Sequence, residues 1–127
     1  MLSLNEFTKG GNLNSIISKL FESRDFAHKA HLRSKSFSQH EALGEFYNAV
    51  TLLADELFEV YSGQYGMQKL DFSNVGEEDP LAYMENLGKM LVNSHKLIDS
   101  KDTHLHNILD EIIALTFRTV YKLKYLK

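Results

Sequence analysis

The chain has 127 residues, of which 43% are hydrophobic and 24% charged, which suits one soluble globular domain with a single core and excludes disordered and fibrous classes. Its formal charge of −3 and pI near 6.0 argue against a surface that attracts nucleic acid all over, although a local basic patch is compatible with them. Cysteine is absent, so disulfide frames, zinc-thiolate sites and thiol nucleophiles are excluded.

Met1 to Thr8 lacks the basic start and apolar run of an export signal, and no apolar stretch approaches the ~20 residues of a membrane span. A soluble, cytoplasmic protein is the expectation. Pro80 is the only proline, and four of the seven glycines are Gly10, Gly11, Gly63 and Gly66, so breakers divide the chain into few, long segments. Sustained two-residue alternation of Val, Ile and Thr is missing, which leaves helices.

The first helix is predicted over about 14–32, after Asn12 or Asn14 as N-cap, with Ile16, Ile17, Leu20, Phe21, Ala27 and Ala30 at helical spacing. His28 and His31 lie close to that stripe. The second opens with the capping box Ser36-Phe37-Ser38-Gln39 and is predicted over 37–62, ending near Gly63, with Leu43, Phe46, Val50, Leu57 and Tyr61 on its apolar side. Gly63 to Asp79 then reads as a long crossover, because neighbouring antiparallel helices are normally joined by much shorter loops. Asp79-Pro80 supplies an N-cap and first helical residue for a third helix over 80–99, on Leu81, Met84, Leu87, Leu91, His95 and Ile98. The fourth is predicted over 103–126 behind Asp102-Thr103, on Leu105, Ile108, Leu109, Ile112 and Leu115. Two short connections around one long one give an all-α fold, an antiparallel four-helix bundle of ferritin-like connectivity forming one domain over 1–127.

On the second helix His40, Asp55 and Glu59 project within an arc of about 100°. His28 and His31 end the first helix near His40 in sequence, with Glu41 and Glu45 nearby. Nitrogen and oxygen donors in this mixture suit iron, manganese or zinc, and facing helices of a bundle are a place to build such a site. The same residues also fit packing histidines and a solvated acidic stripe. His95, on the apolar side of the third helix, reads as a hydrogen-bonded packing residue, and His104 and His106 as exposed. Glu-x-x-His, His-Glu-x-x-His, Gly-x-Ser-x-Gly and phosphate-cradling glycine loops are absent, which removes the di-iron motif buried in one bundle and the readily recognised hydrolase and nucleotide sites.

The run His40-Glu41-Ala42-Leu43-Gly44-Glu45-Phe46, followed by Ala54-Asp55-Glu56-Leu57-Phe58-Glu59, resembles the second helix of the mini-ferritins, the Dps (DNA protection during starvation) family. Asp102-Thr103, Ile108-Leu109, Glu111-Ile112 and Tyr121-Lys122-Leu123 are similar to that family's closing helix. The resemblance implies a hollow homo-oligomer, a dodecamer with the dimer as building block. It also implies a ferroxidase centre shared between two subunits, where Fe(II) is oxidised and sequestered. The family's ligand pattern falls on His28, His40, Asp55 and Glu59, with His31 as a competing choice for the first histidine. The acid expected four residues after His40 is replaced by Gly44, so either Glu45 substitutes for it or a ligand is lost.

The basic tail through which many members bind DNA has no counterpart, since residues 1–14 hold only Lys9, and Lys122, Lys124 and Lys127 are thin support for a phosphate-tracking surface. The chain is short for the family and is also similar to small ferritin-like proteins of bacteriophages. That leaves two rival expectations: a non-enzymatic interaction or structural protein on the same scaffold, and zinc or manganese bound for structure only.

Overall fold

The computed structural model describes residues 12–72 and 74–127, so the sparsely basic N-terminal stretch with Lys9 lies outside the described residues. Four α-helices account for most of them: α1 (Asn12–Arg33), α2 (Phe37–Tyr65), α3 (Pro80–Asn93) and α4 (Thr103–Tyr125). α3 is extended by a 3-10 turn, Ser94–Leu97. No strand occurs among the described residues, and no helix there is long and apolar enough to cross a membrane.

Each helix places one stripe in a common core, including Leu13, Ile17 and Leu20 of α1, Leu43, Phe46 and Leu57 of α2, Met84, Leu87 and Leu91 of α3, and Leu105, Leu109 and Ile112 of α4. Helix α1 packs along α2, α2 along α4, and α4 along α3. The circuit closes where the Phe26 ring of α1 stacks on Tyr83 of α3, centroids 3.8 Å apart, with the Tyr83 hydroxyl donating to Glu22 at 3.0 Å. Burial, together with the Glu22 charge, pushes the Tyr83 phenol up, so it stays a neutral donor.

The long connection does cross the bundle. From the end of α2 it runs beside α1, where the Lys69 carbonyl accepts from the Asn14 amide and the Asp71 N–H donates to Ser18 Oγ at 3.0 Å. The Phe72 ring then meets Phe21 edge-on, and the chain reaches Asp79 at the other end, where the Asp79 carboxylate accepts from the Ala82 N–H at 3.0 Å as N-cap of α3. Helices α2 and α3 are therefore parallel, and α2 and α4 antiparallel: Gln64 bonds to Asp102 at one end, and the Ser38 hydroxyl donates to the Leu126 carbonyl at the other.

Three boundaries and one cap differ from expectation. Asn14 lies within α1 and serves the crossover rather than capping the helix. Helix α2 runs through Gly63 and stops at Gly66, whose φ of 101° is open to glycine and whose N–H bonds the Ser62 carbonyl at 2.8 Å. Only half of the capping box forms: Ser36 Oγ accepts from the Gln39 N–H, while the Gln39 side chain turns to Ser34. Helix α3 ends early because the Ser94 hydroxyl takes the Leu91 carbonyl at 2.6 Å and tightens the last turn into 3-10 form.

The two glycines respond oppositely to a methyl group. Gly63→Ala, helical and open to solvent, raises stability by about 0.5–1 kcal/mol. Gly66→Ala lowers it by about 1–2 kcal/mol, because a Cβ is strained at positive φ. Urea denaturation of the two variants checks the contrast.

Candidate functional site

The chain turns from α1 into α2 within Ser34–Ser36, too few residues to leave the helix ends unsatisfied. Two histidines complete the corner. His31 Nδ1–H donates to the His40 carbonyl at 2.6 Å, and His40 Nδ1–H donates to the His31 carbonyl at 2.9 Å. The rings stack at 3.7 Å with 19° between planes. A carbonyl can only accept, so both rings carry their hydrogen on Nδ1 and, when neutral, leave Nε2 with a bare lone pair. That is the tautomer in which second-shell bonds hold a ligating histidine.

His28, one turn earlier on α1 and exposed, stacks on Tyr47 of α2 at 4.3 Å and sits 6.4 Å from His31. Gly44 explains how the rings fit. It is buried, and a Cβ built on it would lie 3.0 Å from His31 Cε1 and 3.1 Å from Nδ1. The His31 imidazole thus occupies the space into which a side chain at position 44 would grow. Sequence reasoning saw a missing acid there, whereas the fold puts a third imidazole in its place.

The predicted acids stand elsewhere. Glu45 is engaged with Lys122 on the flank facing α4, away from the histidines, which lie on the flank facing α1, so it does not substitute at position 44. Asp55 and Glu59 are exposed on α2. At 1.5 Å per residue they lie roughly 22 and 28 Å along the helix from His40, beyond reach of any ion at the corner of the same chain. Nor do the stacked rings of His31 and His40 chelate one ion, because lone pairs lie in ring planes and nearly parallel planes do not converge. Among the described residues no three His, Asp or Glu side chains gather as a metal group.

The model of a family of unknown function, DUF5856, matches residues 31–123. The chain belongs to that family. No curated protein and no solved structure matches it. The matched segment takes in His31, His40, Gly44, Asp55 and Glu59, and also the opposite end of the bundle, where a second polar cluster was not anticipated.

There Asp102, buried ahead of α4, makes no side-chain cap to its own helix, contrary to expectation. Its carboxylate accepts from the Tyr65 hydroxyl and from Gln64 Nε2 at 2.8 Å, and Gln64 Oε1 accepts from His104 Nε2–H at 2.7 Å. The Tyr65 and Gln64 bonds hold the Asp102 carboxyl below the usual carboxylate range, and the bond to Asp102 pushes the Tyr65 phenol up to about 12. His106 is not exposed but half-buried and bonded to His95, Nδ1 to Nδ1 at 2.7 Å. The members come from α2, the 3-10 turn and α4, so no spacing along one helix signals the cluster.

Asp102 keeps its charge to lower pH in the folded chain than in the unfolded one, so its contribution is complete above the ordinary value of ~3.9 and is lost as pH falls through the depressed folded value. Asp102→Asn flattens the acid limb of the stability profile. In an absorbance titration the Tyr65 phenol ionises late, near pH 12, and Asp102→Asn returns it toward ~10 while Tyr83 stays raised.

Proposed function

We propose that this chain is a ferritin-like, Dps-type iron-binding protein whose ligand set is completed by a second copy of itself. The supporting observation is one of register on α2. His40 and Gly44 are four residues apart near its start, Asp55 and Glu59 four apart near its end, and α2 is one uninterrupted helix between them. A two-fold axis across α2 between Ala49 and Val50 would set His40 opposite Glu59 and the Gly44–His31 position opposite Asp55 of the other copy, in both halves at once. Asn48 and Leu52, both exposed, flank that axis, and Leu52, 71% exposed, gives the pairing an apolar centre.

In this reading His28 and His40 present imidazole nitrogen to Fe(II), Asp55 and Glu59 of the second copy balance the charge of the ferric product, and dissolved oxidant removes the electron. His31, whose lone pair does not converge with that of His40, stands at position 44 as a separate nitrogen donor opposite Asp55, and a site richer in nitrogen is receptive to zinc as well as to iron. The pairing also brings Glu41, Asp55, Glu56 and Glu59 of two copies together, a repulsion that cations relieve.

One observation favours a second reading, a non-enzymatic interaction or structural protein. The His31–His40 pair already has a complete structural task, since it closes the α1–α2 corner without any ion.

Native mass measurement with metal analysis on one sample separates the two. The iron reading expects iron-loaded dimers or multiples of them, and at least a tenfold loss of Fe(II) oxidation in the double variant His40→Ala, Glu59→Gln. Oxidation undiminished in that variant overturns it, as does a metal-free monomer after Fe(II) loading.

A further inference from the structure

The α3–α4 corner, at the end of the bundle away from His31 and His40, holds a hydrogen-bonded chain of different construction. His95 on the 3-10 turn reaches Asp110 Oδ1 through Nε2 at 2.7 Å and His106 through Nδ1 at 2.7 Å. His106 in turn meets the Asp99 carbonyl through Nε2 at 3.2 Å. The two imidazoles are nearly parallel, 6° between planes and 5.0 Å between centroids.

Hydrogen counting fixes the state of this chain. The Asp99 carbonyl only accepts, so His106 Nε2 carries a hydrogen, and in a neutral ring its Nδ1 is then a bare acceptor. His95 must supply the hydrogen of the Nδ1–Nδ1 contact. It must also supply the hydrogen shared with the Asp110 carboxylate. Three hydrogens are needed and two neutral imidazoles bring two. With one fewer, two lone pairs face each other across 2.7 Å; with one more, two N–H groups do. No nitrogen of the chain is left free to act on a substrate or to ligate an ion.

We propose that the α3–α4 corner is a proton-dependent latch, closed when His95, His106 and Asp110 together hold one proton beyond two neutral imidazoles. His95 then bears the positive charge between Asp110 and His106. Loss of the proton removes one of the two contacts that tie His95 to α4 and loosens the 3-10 turn there; a second proton opens the His95–His106 contact instead.

The surroundings are mixed in sign. Asp99, whose carboxylate accepts from the Lys101 N–H, and Asp102 approach from the α3–α4 connection, with Lys96 and Lys101 exposed there and His104 on the first turn of α4. Glu111 follows Asp110 on α4, exposed. From α2, Tyr61 and Tyr65 face Asp102 rather than the imidazoles. From α1, which packs on the 3-10 turn, residues 12–18 bring no ionisable side chain, and the end of α3 brings only exposed Lys89.

The sign follows from linkage. Over about pH 5–8, where free imidazole changes charge, there are two limbs: above ~6.5 the latch holds a proton that the unfolded chain lacks, so stability falls as pH rises, whereas below ~6.5 the two unfolded imidazoles hold two protons to the latch's one, so stability falls as pH drops. Nitrogen NMR of the imidazoles in the wild-type chain reads the latch directly: at the acid side of that window His95 is protonated on both nitrogens and His106 on Nε2 alone. A His95 with one bare nitrogen at every pH in the window overturns the proposal. Thermal unfolding gives the second reading. The wild-type midpoint falls as pH rises above ~6.5, and Asp110→Asn removes most of that slope, whereas an unchanged slope in the variant overturns the latch. Should Asp110→Asn fail to fold, the NMR of the wild-type chain decides alone.

Discussion

Two helices that reverse within three residues must hold their ends together without a loop long enough to do so, and the His31–His40 clasp meets that constraint. Each ring donates to the carbonyl of the other's residue, so one pair of side chains satisfies two backbone acceptors beside the turn. The clasp ties α1 to α2 at one end of the pair, and both helices feed one core that holds Leu20, Phe26, Leu43 and Phe46. It also sets the requirement for glycine at position 44, since the His31 ring lies where a Cβ contact would be tight.

The same clasp shapes the chemistry proposed for this corner. Locking Nδ1 to backbone leaves Nε2 as the free nitrogen of His31 and His40, while the stacking that holds the rings keeps their lone pairs from converging. A chain built this way offers single imidazole donors at one end of α2 and single carboxylates near the other. In the proposed reading a second copy in antiparallel register brings the two sets together. Site and assembly are then one question, which is why the proposed iron chemistry and the oligomeric state are tested on the same sample.

The opposite end of the bundle solves the related problem of closing α3 onto α4 with a different balance of hydrogens. His31 and His40 bond only to carbonyls, so their contacts exist in the neutral rings. His95 and His106 bond to each other and to a carboxylate, so theirs require an added proton. Imidazole pairs at both ends are thus distinguished by partner rather than by residue type. Asp102, beside the second pair, further ties α2 to α4 through Tyr65 and Gln64.

The sequence by itself determined the four helices, the long connection and the crowding of His28, His31 and His40 near one corner. Helical periodicity, Pro80 and the scarcity of breakers are local properties that act before any tertiary contact forms. It misjudged Gly63 as a stop, Asn14 as a cap, the Asp102 side chain as bonded to its own helix, and His106 as exposed, because each outcome depends on a partner distant in sequence or, at Gly66, on which of two nearby glycines adopts positive φ. Tertiary structure alone decided that Gly44 makes room for an imidazole, that Glu45 faces Lys122, and that Asp55 and Glu59 cannot reach the histidines of their own chain. Those are distances between side chains on different helices, or along one rigid helix once its neighbours are placed, and residue spacing supplies a direction around an axis without saying what stands opposite it.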